Sequence, residues 1–300
     1  MKILMTGGTG LIGSQLCDAL LRAGHQITIL SRNPNVVRKK WKGAVSAIVS
    51  LSEWHQTTFF DVIINLAGEP IVDAPWSESR KKILWDSRVT LTKELVERIK
   101  VSRQKPSLLL SGSAIGFYGD RGNETVDESS AAGTDFAAKL CVAWEEEAHR
   151  ASEMGVRVCL LRTGLVLATK GGVLARMLMP FKLGLGARLG TGQQWMSWIH
   201  IDDYVSIVLK LIVDTSATGS FNMTAPHPET NRQFTAQLAM ALHRPAWFVV
   251  PSFFLKAVLG DRSILLLGGQ KVMPVKLTQA EFRFNYADLD AALKACRRSQ

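Results

Sequence analysis

Cysteine is scarce in this chain, and its placement excludes two kinds of site. Cys17, Cys141, Cys159 and Cys296 stand far apart. No Cys-x-x-Cys or His-x-x-His spacing joins them, so neither a zinc site nor a dithiol motif is expected and they read as core thiols. Tyrosine is scarcer still, with three in 300 residues, which leaves few phenols for acid–base chemistry. No uninterrupted apolar run reaches about eighteen residues, so no membrane span and no membrane partner are expected. A signal-peptide pattern is also missing, because Met1 leads straight into an apolar strand; a cytoplasmic protein is expected. The net charge of +10 is spread along the chain without a nucleic-acid motif. That excess suits an anionic small molecule better than a specific nucleic acid.

Glycine is abundant where it matters. Lys2 to Thr6 is a short apolar strand that runs into Gly7-Gly-Thr9-Gly10-Leu11-Ile12-Gly13 and then a helix from Ser14 to Ala23, closed by Gly24. Gly7 permits the tight turn, Gly10 lets the backbone approach a ligand, and Gly13 lets the helix pack on the strand. The helix start offers unpaired N–H groups and a partial positive charge to a pyrophosphate. A second apolar strand, His25 to Leu30, completes a dinucleotide-binding unit of about thirty residues. An NAD enzyme places Asp or Glu at the tip of that strand, against the ribose 2′-hydroxyl. Here Ser31 and Arg32 stand there. A guanidinium and a hydroxyl suit a 2′-phosphate, so the expected cofactor is NADP(H).

Further apolar strands are expected at 47–49, 62–66, 107–111 and 157–162, with a helix from about Glu78 to Lys100. Alternating strands and helices predict an α/β fold, a Rossmann-type doubly wound parallel sheet with ligands outside the strands' carboxyl ends. From about Gly171 the rhythm changes. Residues 1–225 are expected to form the NADP-binding domain, interrupted near 171–198 by an insertion belonging to a substrate-facing lobe. Residues 226–300 form the rest of that smaller lobe, while the segments near 202–214 and 219–223 return to the main sheet.

Five ordered motifs resemble the extended short-chain dehydrogenase/reductase superfamily: Thr6 to Gly13, Asn65-Leu66-Ala67-Gly68, Ser111-Gly-Ser113-Ala-Ile-Gly-Phe-Tyr118-Gly119, Arg162-Thr163-Gly164, and Trp198-Ile-His-Ile-Asp-Asp203. Trp76, Ser87-Arg88-Val89, Trp144-Glu145 and Gly268 to Pro274 resemble more narrowly its atypical branch, described as nucleoside-diphosphate-sugar epimerase-like with an additional C-terminal domain of unknown function. The resemblance implies cofactor contacts from Gly7, Thr9, Gly10, Leu11, Ile12, Gly13, Leu66, Ala67, Gly68, Ser111 and Thr163. It also sets Arg88 near a helix beneath the nicotinamide, where cofactor phosphates, or Asp86 or Glu94 at the surface, would balance its charge.

Active members of the superfamily carry a Tyr-x-x-x-Lys pair, in which the Lys lowers the Tyr pKa and the Tyr moves a proton as hydride transfers. Four residues after Tyr118, Tyr204 and Tyr286 stand Gly122, Val208 and Asp290, so the pair is missing. Alignment through Trp144-Glu145 puts Ala137 and Cys141 in its place, with Lys139 off register. Ser113 then matches the substrate-polarising hydroxyl, or else bonds local backbone, and Tyr118 is the candidate replacement acid, or else anchors its loop. His200, Asp202 and Asp203 invite a metal or triad reading but lack a third ligand and a nucleophile elbow; no metal is expected, and an Asp capping the next helix is. Trp195 and Trp198 are candidates for stacking on a substrate ring, and Gln193 for a polar contact. The function expected is NADP(H)-dependent hydride transfer on a small or nucleotide-linked carbonyl or alcohol. The alternatives are a non-catalytic NADP(H)-binding sensor or scaffold, and a nucleotide-sugar epimerase. A homodimer is the expected assembly.

Overall fold

The strands alternate their side chains between two apolar layers, and this sets the architecture. The structure, a computed structural model, describes residues 1–169 and 171–298. In chain order it runs β1 (Lys2–Thr6), α1 (Leu11–Arg22), β2 (Gln26–Leu30), α2 (Pro34–Trp41), β3 (Ser46–Ile48), β4 (Val62–Asn65), α3 (Glu78–Trp85), α4 (Leu91–Val101), β5 (Leu108–Ala114), α5 (Phe136–His149) and β6 (Arg157–Thr163). It continues through α6 (Gly172–Lys182), α7 (Ile201–Val213), β7 (Gly219–Met223), α8 (Asn231–Leu242) and α9 (Ser252–Leu259), with a last helix at Leu289–Arg298. The seven strands form one parallel sheet in the order β7-β6-β5-β4-β1-β2-β3.

Ile3 and Met5, Val62 and Ile64, Leu108 and Leu110, and Cys159 and Leu161 face one layer, closed by α1 and α7. Leu4, Ile63, Leu109, Val158 and Leu160 face the other, closed by α4 and α5. Both faces are buried, which is why these strands read as continuous apolar runs rather than alternating ones. The chain winds outward from β1 to β3, then returns to build β4 to β7 on the opposite side. The crevice between β1 and β4 is therefore the topological switch point, where ligands of such sheets bind.

Two elements depart from the sequence expectation. Helix α1 begins at Leu11 rather than Ser14, because the glycine turn itself supplies its N-cap, Gly10. The helix expected across 78–100 is interrupted by a π-helical turn, Asp86–Thr90, between α3 and α4. Such turns mark functional sites in many helices. A separate apolar core packs Trp198, Leu174, Leu178, Phe181, Phe234, Leu238, Leu289 and Leu293 together.

Candidate functional site

The dinucleotide cradle is built by close backbone approach. Gly7 sits at φ +67°, and a Cβ there would stand 2.5 Å from the Leu66 carbonyl carbon. A Cβ on Gly13 would strike the Gly7 carbonyl oxygen, so this glycine lets α1 pack onto the turn. Gly13 is buried while Thr9 and Gly10 are exposed, which divides the motif into packing and ligand-facing positions. No side chain caps the start of α1, and its first turn carries no acid. These free N–H groups with their dipole fit a pyrophosphate.

The wall opposite is fixed by a buried chain of hydrogen bonds. The Ala67 N–H donates to Thr6 Oγ1 (3.1 Å) and the Thr6 hydroxyl donates to Asn65 Oδ1 (2.7 Å). Asn65 Nδ2 then donates to Thr92 Oγ1 (2.8 Å) and Ser111 Oγ (3.3 Å). Leu66, Ala67 and Gly68 are thereby held at the rim. Ser111 is not: it is fully buried inside this network, so its expected contact with cofactor is corrected to a supporting role. Thr163 ends β6 half-buried, its hydroxyl donating to the Leu161 carbonyl (3.0 Å) and lying 3.2 Å from the Tyr204 hydroxyl.

Arg32 projects from the tip of β2 with 93% of its side chain exposed, its Nη1 3.1 Å from Glu69 Oε1. Ser31 faces its own turn, accepting from and donating to Asn33. Since β1 lies between β2 and β4, the Arg32–Glu69 pair straps the carboxyl end of β1, over the glycine turn. Sequence reading overlooked Glu69; the available signal was an acid directly after the Asn65–Gly68 motif, facing the one cation at the β2 tip.

Arg88 occupies the π turn. Its Nη2 donates to the Glu69 carbonyl (2.8 Å), Nη1 to the Ser87 hydroxyl (3.2 Å), and the guanidinium lies 5.5 Å over the Trp144 ring. A Cβ on Gly68 would fall 2.9 Å from its Cζ. The surface partners expected for it are corrected: Asp86 is bound to Lys82 (2.6 Å) and Thr90 (3.1 Å), and among the described residues no carboxylate lies within salt-bridge range of Arg88. Burial pulls its pKa below the usual arginine range, yet it stays charged. A half-buried cation with only neutral partners suits a phosphate. The loop it holds is clamped throughout, for Arg80 donates to the Pro70 carbonyl (2.6 Å), Trp76 to Ile71 (2.9 Å) and Arg262 to Val72 (2.9 Å).

At the carboxyl ends of β5, β6 and β7 lies a sealed polar network. Arg162 donates through Nε and Nη2 to the two carboxylate oxygens of Glu145, both at 2.9 Å. Ser113 donates to Glu145 Oε1 (2.6 Å), Arg162 Nη1 to the Tyr118 hydroxyl (3.0 Å), and that hydroxyl to Asn222 Oδ1 (2.7 Å). Tyr118 has no exposed surface, and burial pushes its pKa up. The expectation of a replacement acid at Tyr118 is therefore corrected, because its proton is committed to Asn222 and no substrate reaches it. Ser113 is 4% exposed and props Glu145 from beneath the cleft. Ala137 and Cys141 sit one turn apart on α5, both buried. Burial beside Glu145 pushes the Cys141 thiol up to about 12, so it is neither a thiolate nor a proton relay. Lys139 is exposed. The Glu145–Arg162 pair was invisible as a pair in the sequence; a charged residue ending the apolar run of β6 was its one trace.

The remaining candidates separate cleanly. His200 Nδ1 accepts from the Asp202 N–H (3.2 Å) and so caps α7 itself, in place of the Asp cap expected. Buried Asp203 instead accepts from the Asn285 and Tyr286 N–H groups, at 2.8 and 2.9 Å. Among the described residues no group of three or more His, Cys, Asp or Glu side chains is arranged to hold a metal ion. Trp198 is a core residue with no exposed surface, donating to the His227 carbonyl (3.1 Å), which corrects its expected stacking role. Trp195 is half-buried under Lys271, whose Nζ stands 4.8 Å from the ring centre. Gln193 is exposed.

This arrangement recurs in known proteins. Residues 3–224 match the model of the NAD dependent epimerase/dehydratase family, and residues 250–296 match Domain of unknown function (DUF1731). The chain is 38% identical over 298 residues to Epimerase family protein YfhF of Bacillus subtilis, covering 98% of this chain and 97% of that one. It is 38% identical to the chloroplastic Epimerase family protein SDR39U1 homolog of Arabidopsis thaliana, covering 98% of this chain and 86% of that one. The crystal structure of human epimerase family protein SDR39U1 with NADPH superposes with a TM-score of 0.91 at 32% identity, over 100% of both chains. UDP-glucuronic acid 4-epimerase from Bacillus cereus shares the fold, with a TM-score of 0.79 at 19% identity over 100% of both chains. A glycine turn at the switch point of the sheet and a C-terminal segment matching DUF1731 thus agree with the sequence comparisons, and the chain belongs to the NAD dependent epimerase/dehydratase family, in the branch that carries the DUF1731 domain.

Proposed function

We propose that this protein binds NADP(H) in preference to NAD(H) and acts as an epimerase-like oxidoreductase on a small or nucleotide-linked carbonyl or alcohol. The observation that carries the reading is Arg32, a cation at the β2 tip where NAD enzymes hold a carboxylate. A 2′-phosphate takes Arg32 from Glu69, which keeps Arg80 3.8 Å away. The start of α1 and Arg88 take the remaining phosphate charge. The NADPH in the human relative's structure supports the same choice.

When bound, the cofactor would give a hydride to a carbonyl in its reduced form or take one from an alcohol in its oxidised form. The chain supplies position: Leu66, Ala67 and Gly68 form the wall, and the Arg-clamped loop after them covers the site. With Ala137 and Cys141 at the relay positions and Tyr118 sealed, water remains to balance the proton. The same observation favours a second reading, a cofactor-binding sensor without turnover.

Fluorescence titration with NADPH and NADH tests the assignment. Arg32→Asp is expected to weaken NADPH by about 1.5–3 kcal/mol, the scale of a charge-assisted bond, with NADH unchanged or tighter. Equal losses for both would overturn the role of Arg32. Mass spectrometry of the purified protein then separates the two readings, since a retained carbonyl compound or sugar nucleotide supports the enzyme and NADPH alone supports the sensor.

A further inference from the structure

Two stretches of the smaller lobe contain no acidic residue at all. Residues 171–200 and 231–260 carry Arg176, Lys182, Arg188, Arg232, Arg244 and Lys256, while all 26 acidic residues lie elsewhere. The same two stretches supply more than half of the large apolar side chains exposed among the described residues. Trp247 is 85% exposed, Phe253 74% and Leu183 68%. Helix α9 buries only Leu255 and turns Phe253, Phe254 and Val258 to solvent. An isolated exposed Leu needs no account, but a continuous apolar face does.

The exposed apolar groups cluster on adjoining segments. The turn carrying Leu183 and Leu185 packs beside Pro245 and Ala246, since Cβ atoms built on Gly184 and Gly186 would lie 3.9 and 3.0 Å from them. The strand Phe248–Val250 pairs with Ala187–Leu189 and leads directly into α9. A shallow hollow of ≈ 540 Å³ at one end is lined by Met240, His243, Arg244 and Trp247. Lys182, Arg244 and Lys256 are interleaved with the apolar groups.

Charge selects the occupant. A symmetric pairing of two copies would set one acid-free, cation-bearing face on another, in a chain whose net charge is already +10. A bilayer bearing anionic headgroups meets both halves of the face. Trp and Phe settle at the headgroup boundary, aliphatic side chains enter the acyl region, and Lys and Arg pair with lipid phosphates. No helix among the described residues is long and apolar enough to cross a membrane, so this is attachment to a surface and not a span. We propose that the face formed by Leu183–Leu185, Trp247–Val249 and α9 docks on an anionic lipid surface, against the sequence expectation of no membrane partner.

Co-sedimentation of the full chain with vesicles tests this, using phosphatidylcholine alone and phosphatidylcholine with about one-third phosphatidylglycerol. Binding to the mixed vesicles alone, lost in high salt, is expected. Phe253→Ser with Trp247→Ser should reduce it at least about tenfold, with NADPH titration of the same variant confirming a folded chain. Arg244→Glu with Lys256→Glu, both at exposed positions, should abolish the preference for anionic lipid. Two results would overturn the proposal. One is equal or no binding to both vesicles. The other is a concentration-dependent dimer in sedimentation equilibrium that the Phe253 and Trp247 changes dissolve, which assigns the face to a second copy.

Discussion

Glu69 shows how one side chain sets the terms for a ligand. Its carboxylate stands 3.1 Å from Arg32 Nη1, beside the place where the proposed 2′-phosphate would bind. It is thus a competitor for the cation and a source of repulsion toward the newcomer. An exposed pair is worth up to about 1 kcal/mol, so Glu69→Gln should tighten NADPH about two- to five-fold. NADH, lacking the phosphate, should be little changed. The gain must vanish in an Arg32→Ala background, because Glu69 acts through Arg32; titration of the double variant checks this.

Among the elements, the joint between α5 and β6 carries the largest electrostatic commitment. Arg162 and Glu145 are 6% and 9% exposed at the side chain, and neither has water to fall back on. Glu145→Ala would leave a buried guanidinium without its anion and Ser113 without its acceptor. Removing one partner of such a pair costs about 3–5 kcal/mol, to be read in the urea midpoint with the slope unchanged. A loss below about 1 kcal/mol would show that the network opens to water and that Tyr118 is more accessible than its burial implies. Sequence reading placed these residues in motifs but paired none of them, because Glu145 and Arg162 are joined only when α5 folds back across β5 and β6.

Across the whole molecule, His200 and Asp203 fasten the C-terminal segment to the nucleotide-binding half. The His200 ring caps α7 and packs at a tilt of 42° against Tyr286, with ring centres 4.0 Å apart. Burial lowers its pKa below the usual 6.5, against the opposing pull of Asp202 and Asp203. The unfolded chain therefore takes up this proton first. The stability is fully present above about pH 6.5 and is lost as pH falls below it; protonation also ends the acceptor role of Nδ1. His200→Asn keeps a capping side chain that does not titrate. Its melting temperature should fall less than that of the native chain between about pH 7.5 and 5.5, as measured by calorimetry. Parallel falls would assign the acid sensitivity to other groups.

At the same scale, what could be read in advance follows a physical divide. The sheet was legible because both its faces are buried, which writes each strand as an apolar run, and because alternation with helices admits few windings. The glycine cradle was legible because its constraint is local: Gly7, Gly10 and Gly13 are required by backbone geometry within a few bonds. The position of Arg32 was legible for the same reason, as it follows a strand whose place in the motif is fixed. The roles of Ser111, Tyr118 and Trp198 were not, since exposure depends on what distant segments lay over them. Tyr118 meets Asn222 across 104 residues, and Arg32 meets Glu69 across 37. The sequence by itself determined the fold, the glycine turn and the absence of a Tyr-x-x-x-Lys pair, all matters of residue type at short spacing. Only the tertiary structure decided which polar groups face the cleft and which are sealed beneath it, because burial and hydrogen-bond partnership are set by chain segments that local sequence does not bring together.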